Sequence, residues 1–236
     1  MTWSIIARDS ATGQIGIVVA TKFFAVGARV PHIAAGIGGI ATQALVNPYY
    51  GIDGVKLLRE GKSPKEIMAT LLASDSGRES RQLHIMDARG SIAAHTGKDC
   101  VDWCGHRPGD GFSIAGNMLA GPLVLEDSAN AYVANRSLPF AQRLIAAMRA
   151  GEAAGGDKRG KQSAALLIHD TEEWSALDLR VDDHDDPLTE LERLERVSRE
   201  RWTHFRQFLP TRQNPAGITD RATIEAGIAA ASTETA

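Results

Sequence analysis

Hydrophobic and polar positions along this chain change period several times, and each change marks an element. From Thr2 to Arg8 the run Thr-Trp-Ser-Ile-Ile-Ala-Arg is rich in aromatic and β-branched residues, and Asp9-Ser10-Ala11-Thr12-Gly13 after it is turn chemistry. A hairpin follows, whose second strand, Ile15 to Lys22, is a nearly continuous apolar run. That pattern belongs to a central strand covered on both faces. Runs from Ala28 to Ala35 and from Gly38 to Leu45 complete an opening group of four strands. Then Leu57, Leu58, Ile67, Leu71 and Leu72 recur at helical spacing, and Ser63-Pro64-Lys65-Glu66 is a capping box with proline at the first helical position.

Strand patterns return at Arg81 to Asp87, Ser91 to His95 and Phe112 to Ala115. Helices are expected over Leu123 to Ala134 and Leu138 to Ala150, the second with Phe140, Leu144, Ile145 and Met148 on one face. The glycine-rich stretch Gly151 to Gly160 reads as a loop, and Ala164 to Ile168 and Leu177 to Val181 as the last strands. From Leu188 to Phe208 an apolar stripe of Leu191, Leu194, Val197, Trp202 and Phe205 marks a helix that packs on the body or on a second subunit, so a homo-oligomer is one of two accounts of it. One domain over residues 1–209 is expected. Residues 210–236 read as a flexible tail, with a marginal helix over Ile218 to Ala231 as the other reading. Batches of strands separated by pairs of helices do not alternate as a doubly wound fold does, so the class expected is α+β, a layered sheet arrangement flanked by helices.

Length and charge narrow the function. At 236 residues with 43% hydrophobic residues the chain can bury a sizeable core. A formal net charge of -3 with scattered basic residues leaves no footprint for nucleic acid or an acidic membrane, and a small-molecule or peptide partner is favoured. No apolar run approaches the ~20 residues of a membrane span, and the start lacks a signal-peptide pattern, so a cytoplasmic protein is expected. Cys100 and Cys104 are too few for a disulfide framework and poorly spaced for a zinc site; neither a metal nor another cofactor is expected.

The second residue is threonine, small enough for removal of Met1, which would leave a free α-amine beside a hydroxyl. Such a terminus carries its own nucleophile and base, since an α-amine of pKa about 8 takes the hydroxyl proton near neutrality. Thr2 opens directly into an apolar strand, which would hold the two groups in fixed geometry. Ser4 is the rival nucleophile, two residues on and on the same strand face, with His95 or His32 as its base.

The stretches Thr2-Trp3-Ser4-Ile5-Ile6-Ala7-Arg8-Asp9, Val18-Val19-Ala20-Thr21-Lys22-Phe23-Phe24-Ala25-Val26-Gly27, Ala41-Thr42-Gln43-Ala44 and Asn47-Pro48 resemble a bacterial family, domain of unknown function 1028. The similarity continues through Ala94-His95-Thr96-Gly97, Gly116-Asn117-Met118-Leu119, the loop and strand from Gly155 to Leu166, and Leu179-Arg180-Val181-Asp182-Asp183-His184. Several unrelated motifs in order over about the first 200 residues make it specific. The resemblance implies an N-terminal-nucleophile (Ntn) hydrolase-like fold, a four-layer αββα sandwich, and leaves the reaction undefined. Such a fold calls for a nucleophile at a strand's free end, a cation that lowers the amine pKa, and an oxyanion stabiliser.

Lys22, closing the second strand, is the candidate cation, or else a solvated strand-end lysine. Asn117, between a strand and the helical region, is the candidate oxyanion donor, or else a turn residue. Asn47 before Pro48 is an N-cap or a substrate contact, and His95 is carried as a contact as well. In the glycine-rich loop Asp157, Arg159 and Ser163 are candidate site walls, though a solvated charged turn has the same composition. Arg180 or Asp182 would order the site. The acidic segment they open, with Asp183 and His184, reads either as a cation site or as an acidic turn before the next helix. Two functions remain in view. One is hydrolysis of an amide or related C–N bond through a Thr2 acyl-enzyme; the other is ligand binding or assembly on a fold that has lost the chemistry.

Overall fold

The computed structural model describes residues 2–234; Met1, whose removal the N-terminal chemistry requires, lies outside the described residues. Strands β1 (Thr2–Arg8) and β2 (Ile15–Thr21) form the expected hairpin. Its turn is closed by Asp9, which accepts bonds from the backbone N–H and hydroxyl of Thr12, and by Gly13 at a φ of 78°. Next come β3 (Pro31–Ala34), β4 (Gly38–Ala44), α1 (Pro48–Arg59) and α2 (Pro64–Ala73). The capping box read at Ser63 is present, with the Ser63 and Glu66 side chains satisfying each other's backbone N–H groups. Strands β5 (Arg81–Asp87), β6 (Ile92–Thr96), β7 (Gly105–Gly109) and β8 (Phe112–Asn117) lead to α3 (Leu123–Ala134) and α4 (Phe140–Ala153). The chain closes with β9 (Ser163–His169), β10 (Leu177–Val181), α5 (Pro187–Glu200), α6 (Trp202–Phe205) and α7 (Arg221–Glu234).

These elements make a mixed α/β molecule with two antiparallel sheets and, among the described residues, seven α-helices. The larger sheet runs β10-β9-β2-β1-β8-β7, which puts β1 and β2 at its centre; the smaller runs β3-β4-β5-β6. Side-chain alternation along β1 sorts the layers. Trp3, Ile5 and Ala7 face Leu144 and Met148 of α4 and Leu188 of α5. Ile6 faces the other sheet, meeting Ile17, Ala41 and Met86. On the smaller sheet Ile40, Leu83 and Ile85 turn outward to Tyr50 and Leu58 of α1 and Ile67 and Leu71 of α2. Each such buried side chain contributes roughly 1.5–3 kcal/mol of transfer free energy.

Four local expectations change. The strand expected from Ala28 starts at Pro31, because Val26–Ala28 wind into a short 3-10 turn after a left-handed Ala25. Strand β7 carries no apolar alternation; its His-Arg-Pro core is exposed at a sheet edge, where a proline costs no ladder bond. The helix expected over 188–208 breaks at Arg201, whose φ of -145° ends α5. Of its apolar stripe Leu191 and Leu194 join Leu188 in the core that α4 shares, while Val197 is 43% exposed. Of the two readings of the 218–231 segment the helix is the one observed, starting three residues later at Arg221: α7 packs back with Ile228 buried. Among the described residues no helix is long and apolar enough to cross a membrane.

Candidate functional site

The space between the two sheets changes character along β1. At Ile6 it is apolar; at Ser4 and Thr2, the next residues on that face, it turns polar. Facing strands supply the partners. Ser4, fully buried, donates to Gln43 Oε1 at 2.6 Å and meets His84 Nε2 at 2.9 Å, while His84 Nδ1 meets Ser113 Oγ at 3.0 Å. Because Ser4 spends its proton on Gln43, His84 Nε2–H donates to Ser4 and Nδ1 accepts from Ser113. Burial, helped by His106, pulls the His84 pKa down to about 3, which keeps the ring neutral and Nδ1 an acceptor.

Closer to the chain start the network converges on one atom. The carbonyl oxygen of Thr2 accepts from Gln43 Nε2 and from Asn117 Nδ2, each at 3.4 Å. Both amides also donate to Gln82 Oε1, at 2.7 and 3.0 Å. Gln82 is anchored in turn by Nε2 bonds to the Gly116 carbonyl at 2.8 Å and the Thr96 hydroxyl at 2.9 Å. Three buried amides in a low-dielectric layer, all satisfied, fix the backbone at the start of β1. Thr2 itself sits between Thr21 and Asn117 in strand register, 7% exposed, with its hydroxyl 3.1 Å from that of Thr21.

On the open side of Thr2 lies a cavity of about 420 Å³. Phe23, Val26, Val30, Leu45 and Val46 wall it, Thr21 and Gln43 join Thr2 at its polar end, and Arg29 and Arg81 are its charged members. Arg81 is braced: Nε pairs with Asp75 at 3.1 Å and Nη1 donates to the Leu45 carbonyl. Burial works to raise the Asp75 pKa, but hydrogen bonds from Tyr50, the Gly77 N–H, Arg81 and Asn47 overcome it and hold the carboxyl well below its usual range. The described non-glycine residues with positive φ, Ala25, Ala44 and Met118, gather at this end of the sheets. Ala44 lines the cavity, Ala25 precedes its Val26 wall, and Met118 follows Asn117. Such residues cost on the order of 1–3 kcal/mol each and cluster at functional sites.

The residues picked from sequence scatter around this centre. Lys22 is turned away from Thr2; its ammonium donates to the Lys161 carbonyl, because the residue after Thr21 points to the opposite sheet face. Asn117 is 2% exposed, and its amide donates to Thr2 O and Gln82 Oε1. Ser4 has no opening to the cavity, and neither His95 nor His32 reaches it: His95 bonds the Arg78 carbonyl and His32 that of Arg29. Asn47 caps α1 through Tyr49 N–H and also donates to Asp75. Ser163 accepts from Val26 N–H and donates to the Phe23 carbonyl, so it shapes the cavity wall from behind. Asp157 accepts from Lys22 N–H and pairs with Arg159, tying the glycine-rich loop to the end of β2. Arg180 pairs with Asp182, whose carbonyl accepts from Ala25 N–H; neither lines the cavity. Among the described residues no group of three or more His, Cys, Asp or Glu is placed to hold a metal ion.

Thr21, Gln43, Gln82, His84, Arg29 and Arg81 are site residues that the sequence reading did not single out. A signal existed for three of them: Gln43, Gln82 and His84 are polar side chains within strand patterns, and Gln82 and His84 alternate with Leu83 and Ile85 so that they share one face.

The profile of a family of unknown function, DUF1028, matches residues 2–191. A crystal structure of a DUF1028 protein from Silicibacter pomeroyi is 34% identical and superposes with a TM-score of 0.85, covering 93% of this chain and 96% of that one. Anbu (ancestral beta-subunit) from Yersinia bercovieri aligns over 83% of this chain and 96% of its own at 11% identity and a TM-score of 0.43, below the level at which a shared fold follows. No curated protein matches the chain.

Proposed function

The chain belongs to the DUF1028 family of unknown function, and we propose that it is an N-terminal-nucleophile amidohydrolase of αββα sandwich architecture, cleaving an amide or related C–N bond of a small molecule or peptide. The observation that carries this reading is the setting of Thr2. Its hydroxyl stands at the polar end of an otherwise apolar cavity, on the free end of a central strand whose first carbonyl two buried amides hold. A nucleophile needs that fixity, since positioning of reacting groups supplies much of a catalysed rate.

The reading requires removal of whatever precedes Thr2. The exposed α-amine then takes the hydroxyl proton as Thr2 Oγ1 attacks the substrate carbonyl carbon. The amine returns that proton to the leaving nitrogen as the C–N bond breaks, and an ester on Thr2 results. Water, deprotonated by the same amine, attacks the ester and restores the hydroxyl. Arg81, close by in the cavity lining and held by Asp75, serves in place of Lys22 as the positive group that keeps the amine's pKa low.

Intact mass of the native-start protein, before and after incubation with a β-lactone acylating probe, tests this. The expected outcome is a chain starting at Thr2 that gains one stoichiometric adduct mapped to Thr2, with none in Thr2→Ala. A retained residue ahead of Thr2, or a folded protein starting at Thr2 that gains no adduct there, would replace catalysis with a ligand-binding or assembly role for the same cavity.

A further inference from the structure

The cavity beside Thr2 is chemically lopsided. Its walls are aliphatic or aromatic, no Asp or Glu lines it, and both charged side chains that do are arginines. The two arginines differ. Arg81 already has a carboxylate, Asp75, and is 23% exposed in that pair. Arg29 has no carboxylate within salt-bridge distance among the described residues, and stands exposed at the C-terminal side of the Val26–Ala28 turn that builds one wall.

An arginine among the lining of a space without acidic groups is matched by an anion of the ligand. A planar carboxylate fits its paired N–H groups best, and a single unpaired guanidinium suits one carboxylate better than a phosphate, which is usually met by several cationic or backbone donors. The walls of Phe23, Val26, Val30, Leu45 and Val46 call for an apolar group on the same molecule. The volume of about 420 Å³ is that of a small-molecule site.

Resting on the amidohydrolase reading above, we infer that the substrate class is a small amide carrying one free carboxylate and one apolar side group, such as an N-acylated apolar amino acid, with Arg29 as the specificity-determining partner of the carboxylate. The amide carbonyl then lies at Thr2 and the apolar group against the Phe23 and Leu45 walls.

Equilibrium binding to Thr2→Ala separates this from the nucleophile assignment, because that variant lacks the hydroxyl and keeps the walls and both arginines. Titration calorimetry with N-acetyl-leucine, N-acetyl-phenylalanine and N-acetyl-alanine, each against its carboxamide, reads the carboxylate alone. The acids of the two larger side chains should bind roughly tenfold or more tighter than their amides. The preference should shrink in Arg29→Gln, survive in part in Arg29→Lys, and weaken with added salt. Equal binding of acid and amide, no binding of any acid, or a preference unchanged in Arg29→Gln overturns the inference. A phosphonate analogue that outbinds the acids overturns the choice of carboxylate. A β-lactone adduct on wild-type Thr2 stands or falls independently of all these results.

Discussion

At the residue scale the site is a matter of where a few hydrogen bonds end. Asn117 and Gln43 sit on different sheets, yet both spend an amide N–H on the Thr2 carbonyl and both lean on Gln82. Removing Asn117 takes one of two hydrogen bonds from each of two buried acceptors, which at roughly 0.5–1.5 kcal/mol a bond costs about 1–3 kcal/mol, and loosens the strand end that carries the nucleophile. Asn117→Ala should therefore lower the unfolding free energy by that amount and slow acylation of Thr2 by the β-lactone about tenfold or more. A purely structural role predicts the first effect alone. Acylation rates measured well below the variant's own unfolding midpoint, with Gln82→Ala as a second member of the same cluster, separate the two. Ser4→Ala makes the opposite forecast: its hydroxyl reaches only Gln43 and His84, so the probe should still label Thr2.

At the element scale, α1 decides the shape of the cavity rim, since Leu45 and Val46 run straight into its Asn47 cap. Two glycines let α1 approach the smaller sheet. A Cβ on Gly51 would stand 2.1 Å from the His32 ring, and one on Gly54 would stand 2.3 Å from Ile40 Cδ1. Gly51→Ala would gain up to ~1 kcal/mol of helix propensity. Displacing a packed ring costs about 1–3 kcal/mol, so the net effect should be destabilising. Urea unfolding checks it, and in a His32→Ala background Gly51→Ala should be neutral or stabilising if the clash is the cause. The capping box at Ser63 and the Asn47 cap were legible because each is written within three or four consecutive residues. The glycine contacts were not, because Gly51 meets His32 of β3 with all of β4 between them in sequence, and Gly54 meets Ile40 of β4, so no run of consecutive residues records either.

At the scale of the whole molecule the same division holds. The β1–β2 hairpin could be read from its turn and apolar runs, and with it the common face of Thr2 and Ser4. The pairing of β1 with β8, more than a hundred residues later, and the stacking of the smaller sheet over that face could not, and it is these that bring Asn117 to the Thr2 carbonyl and His84 to Ser4. His84 joins the sheets in the buried layer: it lies on β5 and bonds Ser4 on β1 and Ser113 on β8. Its folded-state pKa, about 3, is below the ordinary histidine value of 6.5. Below pH ~6.5 the unfolded chain binds a proton at this residue that the folded chain refuses, so folding stability falls as the pH falls toward the folded value. The slope approaches ~1.4 kcal/mol per pH unit for one such group. Above pH ~6.5 neither state is protonated there, and the contribution is complete and flat. Asp75 adds acid lability of its own, but as a carboxylate held below its usual range it acts only near and below pH ~4. Urea unfolding of the wild type between pH 7.5 and 5 should therefore show a decline that His84→Gln, lower in stability throughout for want of the imidazole's fit, lacks by about one proton's worth of slope. Parallel curves for the two proteins would mean that the imidazole takes up its proton inside the fold and that the sheets part around it without unfolding.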